Sequence, residues 1–404
     1  MRVASAPRLA AALLLVACQA PADGDTSATE GDTTTAAEST TTEADTSTST
    51  TAATDTSGGS TTTGDPPPVH DGEPLPPAEP GTWTWVEFPD ARCRSGEPTG
   101  LGVRYGADDR LLFYFQGGGA CFNDLTCLNN PATADAAEFA DWADVWGERG
   151  VFNAAHPDNP FADFSVVYVP YCSGDVFAGA REDVDVQSQG LQQFVGHRNV
   201  DLFLDRVAPT FQGAAEVVIA GASAGGFGVG FNAIDLARSF PKSQVTILDD
   251  SAPILADEYV EPCLQQQWRD VWGLDDTLPA ECDACRGADG GGLTNLAGHI
   301  GQALPDVHLG LISATRDATI SIFYAFGVDN CSGVGVMTGD RYQAGLNQYL
   351  TEQLIPSGWA TYLIPSTEHV WTQNSAFYDT EVDGVLLTTW VEDLMAGTIT
   401  HVAP

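Results

Sequence analysis

Six short apolar runs set the frame for this chain: LLFYFQ (111–116), SVVYVPY (165–171), AEVVIA (215–220), QVTILD (244–249), VHLGLIS (307–313) and WATYLIP (359–365). They are rich in β-branched and aromatic residues and lack the polar alternation of a half-exposed strand. Such runs mark strands buried on both faces. Amphipathic stretches lie between several of them, at 199–211, 227–240 and 342–355, and another at 382–397 closes the chain. In the first, Val200, Leu202, Phe203 and Val207 fall toward one side of a helix. No internal repeat is evident. Strands alternating with helices predict an α/β fold built on a doubly wound, mainly parallel sheet flanked by helices. Sheets of that kind carry their sites at the carboxyl ends of the strands.

The N-terminal region obeys different rules. Arg2 and Arg8 precede an apolar run from Leu9 to Ala17, which is too short to span a bilayer and has the shape of a secretory signal. Leu15-Val16-Ala17-Cys18 resembles the lipobox of bacterial lipoproteins. That resemblance implies a signal peptide at 1–18, lipidation of Cys18 and, with Gln19 following, anchorage at an outer membrane or cell surface. Residues 19–80 are dominated by Thr, Ser, Asp, Glu, Gly and Pro, and no Lys or Arg occurs between Arg8 and Arg92. Such a segment cannot bury enough apolar surface to offset its chain entropy, so a disordered acidic tether is expected there. The folded domain is expected at 81–404. The net charge of −39 argues against nucleic-acid partners and against anionic membranes, leaving the Cys18 anchor as the expected membrane contact.

Setting Cys18 aside leaves eight of the nine cysteines, an even number that fits up to four disulfides in an exported chain. Cys282 and Cys285 form a lone CxxC with no second pair and no nearby His pair, so no zinc site is expected.

The residues that follow the strand-like runs carry chemistry. After AEVVIA comes Gly221-Ala222-Ser223-Ala224-Gly225, a G-x-S-x-G pattern between a strand and a helix. A sharp turn there presents Ser223 as a nucleophile, and the helix start leaves the Ala224 amide free to donate to an oxyanion. After LLFYFQ comes Gly117-Gly118-Gly119-Ala120, where an α/β-hydrolase keeps its second oxyanion donor. A serine hydroxyl needs a base. Of the seven histidines, His369 follows the last strand-like run, with His197 as the alternative. The base needs an acid. Asp317 follows VHLGLIS, with Asp249 and Asp250 as rivals at the end of the preceding run. The order Ser223, Asp317, His369 is the α/β-hydrolase order.

Four stretches, FQGGGACFNDLTC (115–127), PYCSGDVFAG (170–179), GASAGGFGVGFN (221–232) and STEHVW (366–371), resemble the pectin acetylesterase and Notum family of serine hydrolases. The resemblance implies an α/β-hydrolase-like fold and carboxylic-ester hydrolysis without metal or cofactor. It places the triad on Ser223, Asp317 and His369, and the oxyanion amides on Gly118, Gly119 and Ala224. It also implies the pairs Cys121–Cys127 and Cys93–Cys172, and leaves Cys263, Cys282, Cys285 and Cys331 unassigned. The chain has Gly119 and Ala120 where some members carry an aromatic residue, which is expected to open the acyl pocket wall. The segment 262–292 is not a close match and is expected to cover the site as a lid. The expected substrate is an acyl ester, acetyl first, on an extracellular polysaccharide, with a lipidated peptide equally open. The alternative is a surface lipoprotein whose inactive hydrolase fold binds a glycan or a protein partner.

Overall fold

The computed structural model describes residues 68–404. The signal-like segment, Cys18 and the tether as far as residue 67 lie outside the described residues. The chain enters β1 (Thr84–Arg92), β2 (Pro98–Arg104) and β3 (Arg110–Phe115), and then two helices, α1 (Asp124–Cys127) and α2 (Ala136–Trp146). After β4 (Ser165–Val169), a hairpin of β5 (Arg181–Asp185) and β6 (Leu191–Phe194) leads into α3 (Gly196–Thr210). Next come β7 (Glu216–Ala222), α4 (Ala224–Phe231), α5 (Ala233–Arg238), β8 (Gln244–Asp250), α6 (Pro262–Trp272) and α7 (Leu296–Ala303). They are followed by β9 (His308–Ala314), α8 (Ala318–Tyr324), α9 (Gly339–Tyr349) and β10 (Trp359–Ile364). The C-terminal part holds α10 (Ala376–Asp379), a small hairpin of β11 (Glu381–Val382) and β12 (Val385–Leu386), α11 (Leu387–Met395) and β13 (His401–Val402).

Nine strands form one sheet in the order β1-β2-β4-β3-β7-β8-β9-β10-β13. From β4 to β13 every neighbour is parallel, and β1 and β2 add an antiparallel edge. All six apolar runs are strands of this sheet. Consecutive residues on a strand alternate between its two faces, and the core follows that rule. Leu111, Phe113, Val217 and Ile219 join one buried cluster, while Leu112, Tyr114, Val218 and Ala220 join the other. The fold is α/β-hydrolase-like: a mostly parallel central sheet flanked by helices.

The domain begins earlier than composition indicated. Residues 70–80, expected in the tether, dock along α3. The His70 ring reaches Asp205 Oδ1 at 3.0 Å and Ser239 Oγ at 2.8 Å. Leu75 is buried and its amide donates to Thr210 Oγ1 at 2.7 Å. An extended Pro-rich segment makes no hydrogen bonds of its own, and here helix side chains satisfy it. The amphipathic stretch 227–240 is two helices rather than one. Asn232 divides them, its Nδ2 donating to the carbonyls of Phe177 and Gly228.

Register aligns the carboxyl ends of the central strands. Phe115 pairs with Gly221, Gly221 with Asp249, and Asp250 with Ile312. The segments leaving β3, β7, β8, β9 and β10 therefore share one edge of the sheet.

Candidate active site

Ser223 occupies the turn between β7 and α4 with φ 56° and ψ −119°, a conformation unfavourable for any residue with a side chain. Holding a residue there costs about 1–3 kcal/mol, so the surroundings must impose it. They do so by close packing. A Cβ on Gly225 would lie 2.0 Å from the carbonyl oxygen of Phe115, and one on Gly221 would lie 2.2 Å from that of Gly225. Only glycine permits the turn to press this closely on β3. The Ser223 amide donates to the Asp250 carbonyl at 2.8 Å, fixing the turn to the end of β8.

The glycine run after β3 lies against this turn. A Cβ on Gly117 would come within 3.0 Å of Ser223 Cβ. Asn130 Nδ2 donates to the Gly118 carbonyl at 2.9 Å, and Gly119 takes φ 82°. Among the described residues, the amides of Gly118, Gly119 and Ala224 donate to no protein acceptor. Gly119 and Ala224 line the same pocket as Ser223, whereas the Cα of Gly118 faces the Tyr171 ring. The run is anchored by the Cys121–Cys127 disulfide and by the Cys121 amide, which donates to Gly174 O at 2.7 Å. Cys93 bonds Cys172, and the unassigned four pair as Cys263–Cys331 and Cys282–Cys285.

Asp317 leaves β9 as the N-cap of α8. Its Oδ1 accepts from the Ile320 amide at 2.9 Å, and its Oδ2 lies 2.7 Å from His369 Nδ1. Asp317 is fully buried, and His369 Nε2 is buried without a partner among the described residues. An imidazole that donates from Nδ1 to a carboxylate keeps its Nε2 lone pair for a proton. The amides of Arg316 and Ala318 donate to the carbonyls of Ser366 and Thr367, so the acid and histidine loops are laced together. No hydrogen bond joins Ser223 Oγ to His369 Nε2 among the described residues. Nucleophile–base contacts are often loose before substrate binds.

The rival residues lie elsewhere in the network. His197 is on α3, where its Nδ1 meets Asn232 Oδ1 at 2.6 Å. Asp249 accepts from the Ala252 amide, and burial and then the neighbouring Asp250 push its carboxyl well above the usual range. Asp250 contacts not the histidine ring but the chain that follows it. Its Oδ2 accepts from the Trp371 amide at 2.8 Å, the Thr372 amide at 2.8 Å and Thr372 Oγ1 at 2.7 Å. No group of three His, Cys, Asp or Glu side chains among the described residues could hold a metal ion.

Beside Ser223 opens a narrow apolar pocket walled by aromatic and aliphatic side chains. Two sequence expectations change here. The wall next to Gly119 is not open, because the tip of Phe323 lies 3.2 Å from where a Gly119 Cβ would be. The 262–292 segment contributes a wall: its helix α6 brings Trp268 and Trp272 into the pocket lining, one turn apart and stacked at 5.9 Å. Sequence reading missed Trp268, Trp272, Phe227 and Phe323 as site residues. Helical spacing of aromatics signals a buried face and not what it is buried against.

A sequence profile described as Pectinacetylesterase matches residues 83–285, half of the chain. This chain belongs to the pectinacetylesterase family. The match includes Ser223 and the glycine run and ends before Asp317 and His369. The chain is also similar to the palmitoleoyl-protein carboxylesterase NOTUM of Schmidtea mediterranea, 31% identical over 39% of this chain and 31% of the relative. It is similar to the mouse protein of the same name, 29% identical over 39% of this chain and 33% of the relative. The matched region thus spans about a third of the length of these relatives. The structure of the Wnt deacylase Notum from Drosophila superposes with a TM-score of 0.57 at 18% identity, over 79% of this chain and 95% of that one.

Proposed function

We propose that the protein is a serine carboxylesterase. Ser223 is the nucleophile, His369 the general base and then acid, and Asp317 the residue that orients the imidazole. The Gly118, Gly119 and Ala224 amides serve as oxyanion donors. His369 takes the Ser223 proton as the hydroxyl attacks the ester carbonyl, and returns it to the departing alcohol. Water then cleaves the acyl-enzyme by the same route. The observation that carries this reading is the strained Ser223 turn at the head of an apolar pocket, with free amides beside it. The Asp317–His369 pair on the adjoining strands supplies the base.

The pocket bears on the acyl group. An acetyl group offers one methyl to bury, while here Phe122, Phe227, Trp268, Trp272 and Phe323 present more apolar wall than one methyl can cover. Each buried methylene contributes about 0.8 kcal/mol, or roughly fourfold in kcat/KM. We therefore read the acyl group as longer than acetyl. The alcohol side fits an acylated extracellular polysaccharide, a neutral one in view of the acidic surface. Export and anchorage through Cys18 belong to the same proposal. No helix among the described residues is long and apolar enough to cross a membrane.

The test is Ser223→Ala against p-nitrophenyl esters from acetate to octanoate, with fluorophosphonate labelling of the wild type. The expected result is loss of activity by at least about 10³-fold in the variant, and a wild-type kcat/KM that climbs from acetate. Retained activity in the variant refutes the nucleophile, and a profile that peaks at acetate refutes the acyl reading. An unlabelled, inactive wild type with an intact fold supports the binding-protein alternative, which the unmade Ser223–His369 hydrogen bond favours.

A further inference from the structure

We propose that Asp250 is a positioning residue for ester hydrolysis, a buried brace that sets the His369 loop against the Ser223 turn. This rests on the esterase reading above. Asp250 is fully buried at the end of β8, between the strand that delivers the serine and the strand that delivers the acid. Its backbone carbonyl holds the Ser223 amide at 2.8 Å. Its Oδ2 holds the Trp371 and Thr372 amides and Thr372 Oγ1, two and three residues beyond His369. Its Oδ1 accepts from Ser251 Oγ at 3.0 Å, and Ser251 Oγ in turn accepts from the Val370 amide at 3.3 Å. Thr372 Oγ1 also meets Tyr114 Oη at 2.7 Å, which ties in β3, the strand that ends in the glycine run. One residue thus joins the turn carrying the nucleophile, through its backbone carbonyl, to the loop carrying the base, through its carboxylate, and reaches β3 through Thr372 and Tyr114.

Backbone strain falls along the same path. Ser223, Ser251 and Val370 all have positive φ, at 56°, 73° and 62°. For a β-branched residue such as Val370 this is a true outlier, which persists only where the surroundings over-determine it. The two residues flanking His369 on its C-terminal side, Val370 and Trp371, are held by Ser251 and Asp250 respectively. Without these bonds the loop can relax to ordinary angles and shift the imidazole relative to Ser223. The sequence hid this role because Asp250 is separated from Thr372 by 122 positions.

The test uses Asp250→Asn, Thr372→Val and Thr372→Ser, with kcat expressed per fluorophosphonate-labelled site. Asparagine keeps an acceptor for the two amides but rearranges the side facing Ser251. Valine removes the hydroxyl that joins Tyr114 to Asp250, and serine restores it. A misplaced catalytic group loses up to about 10²-fold in rate. Thr372→Val is expected to lose about tenfold in kcat with KM within about twofold, Thr372→Ser to recover most of it, and Asp250→Asn to lose about 10²-fold. A purely structural role would lower Tm and leave kcat per labelled site unchanged, and that outcome in the valine variant overturns the proposal. Should Asp250→Asn not fold, the Thr372 pair decides alone. Failure of wild-type Ser223 to label would sink the esterase reading instead, so the two failures are distinguishable.

Discussion

At the scale of single residues, the neighbours Asp249 and Asp250 show how one carboxylate differs from the next. Asp250 receives donors on both oxygens, whereas Asp249 accepts the Ala252 amide and lies beside another acid. Burial first, and then the charge of Asp250, raise the Asp249 carboxyl well above the usual value. A group whose folded pKa is raised binds more protons when folded, so its contribution to stability falls as pH rises from the unfolded value through the folded one. Asp249→Asn keeps an acceptor for Ala252 and removes the charge. It is expected to raise Tm at about pH 8, with the gain shrinking toward zero near pH ~4, where the unfolded carboxyl is also protonated. Thermal scans at the two pH values check this, and a variant no more stable than wild type at the higher pH contradicts it. Gly119 and Phe323 make a second residue-scale point. A missing side chain in the glycine run is compensated by a ring from α8, a swap that local sequence does not announce.

Among elements, α6 and α8 supply aromatic walls of the pocket. Cys263, near the start of α6, is bonded to Cys331 beyond α8, across a sequence separation of 68. Cys282 and Cys285 close a loop with a separation of only 3. On loop-closure entropy alone, the long bridge is worth about 4 kcal/mol and the short one about 1.5 kcal/mol. Replacing Cys263 and Cys331 by serine is therefore expected to lower unfolding stability more than twice as much as replacing Cys282 and Cys285. The long bridge also holds the helix that carries Trp268 and Trp272, so its loss is expected to flatten the acyl-length profile as well. Denaturant melts and p-nitrophenyl ester kinetics on the two double variants test both points. Equal destabilisation would show that the bridges act through native contacts rather than through the unfolded chain.

For the molecule as a whole, charge is the governing quantity. Residues 1–67 hold nine acidic residues and two arginines, so −32 of the total −39 belongs to residues 68–404. A domain this acidic repels a polyanion, and salt screens the repulsion over a Debye length of about 10 Å at 0.1 M. Raising ionic strength from about 0.02 M to about 0.3 M should increase kcat/KM on acetylated polygalacturonate by several-fold and leave p-nitrophenyl acetate unaffected. A rate on the polyanion that falls with salt would mean a locally basic cleft and return pectin to the front of the candidates.

The sequence by itself determined the sheet, because six apolar runs spaced by amphipathic helices have few other ways to bury their side chains. It also named Ser223, Asp317 and His369 as candidates, because glycines around a serine and polar residues just past a strand are local signals. It placed the domain edge near residue 80, since composition cannot show that a Pro-rich segment will find donors and acceptors along α3. It could not yield the antiparallel edge of β1 and β2, the aromatic walls of the pocket, the pairing of the last four cysteines or the reach of Asp250 to Thr372. Those depend on which distant surfaces meet, and contact between residues 122 positions apart is settled only when the strands take their order in the sheet.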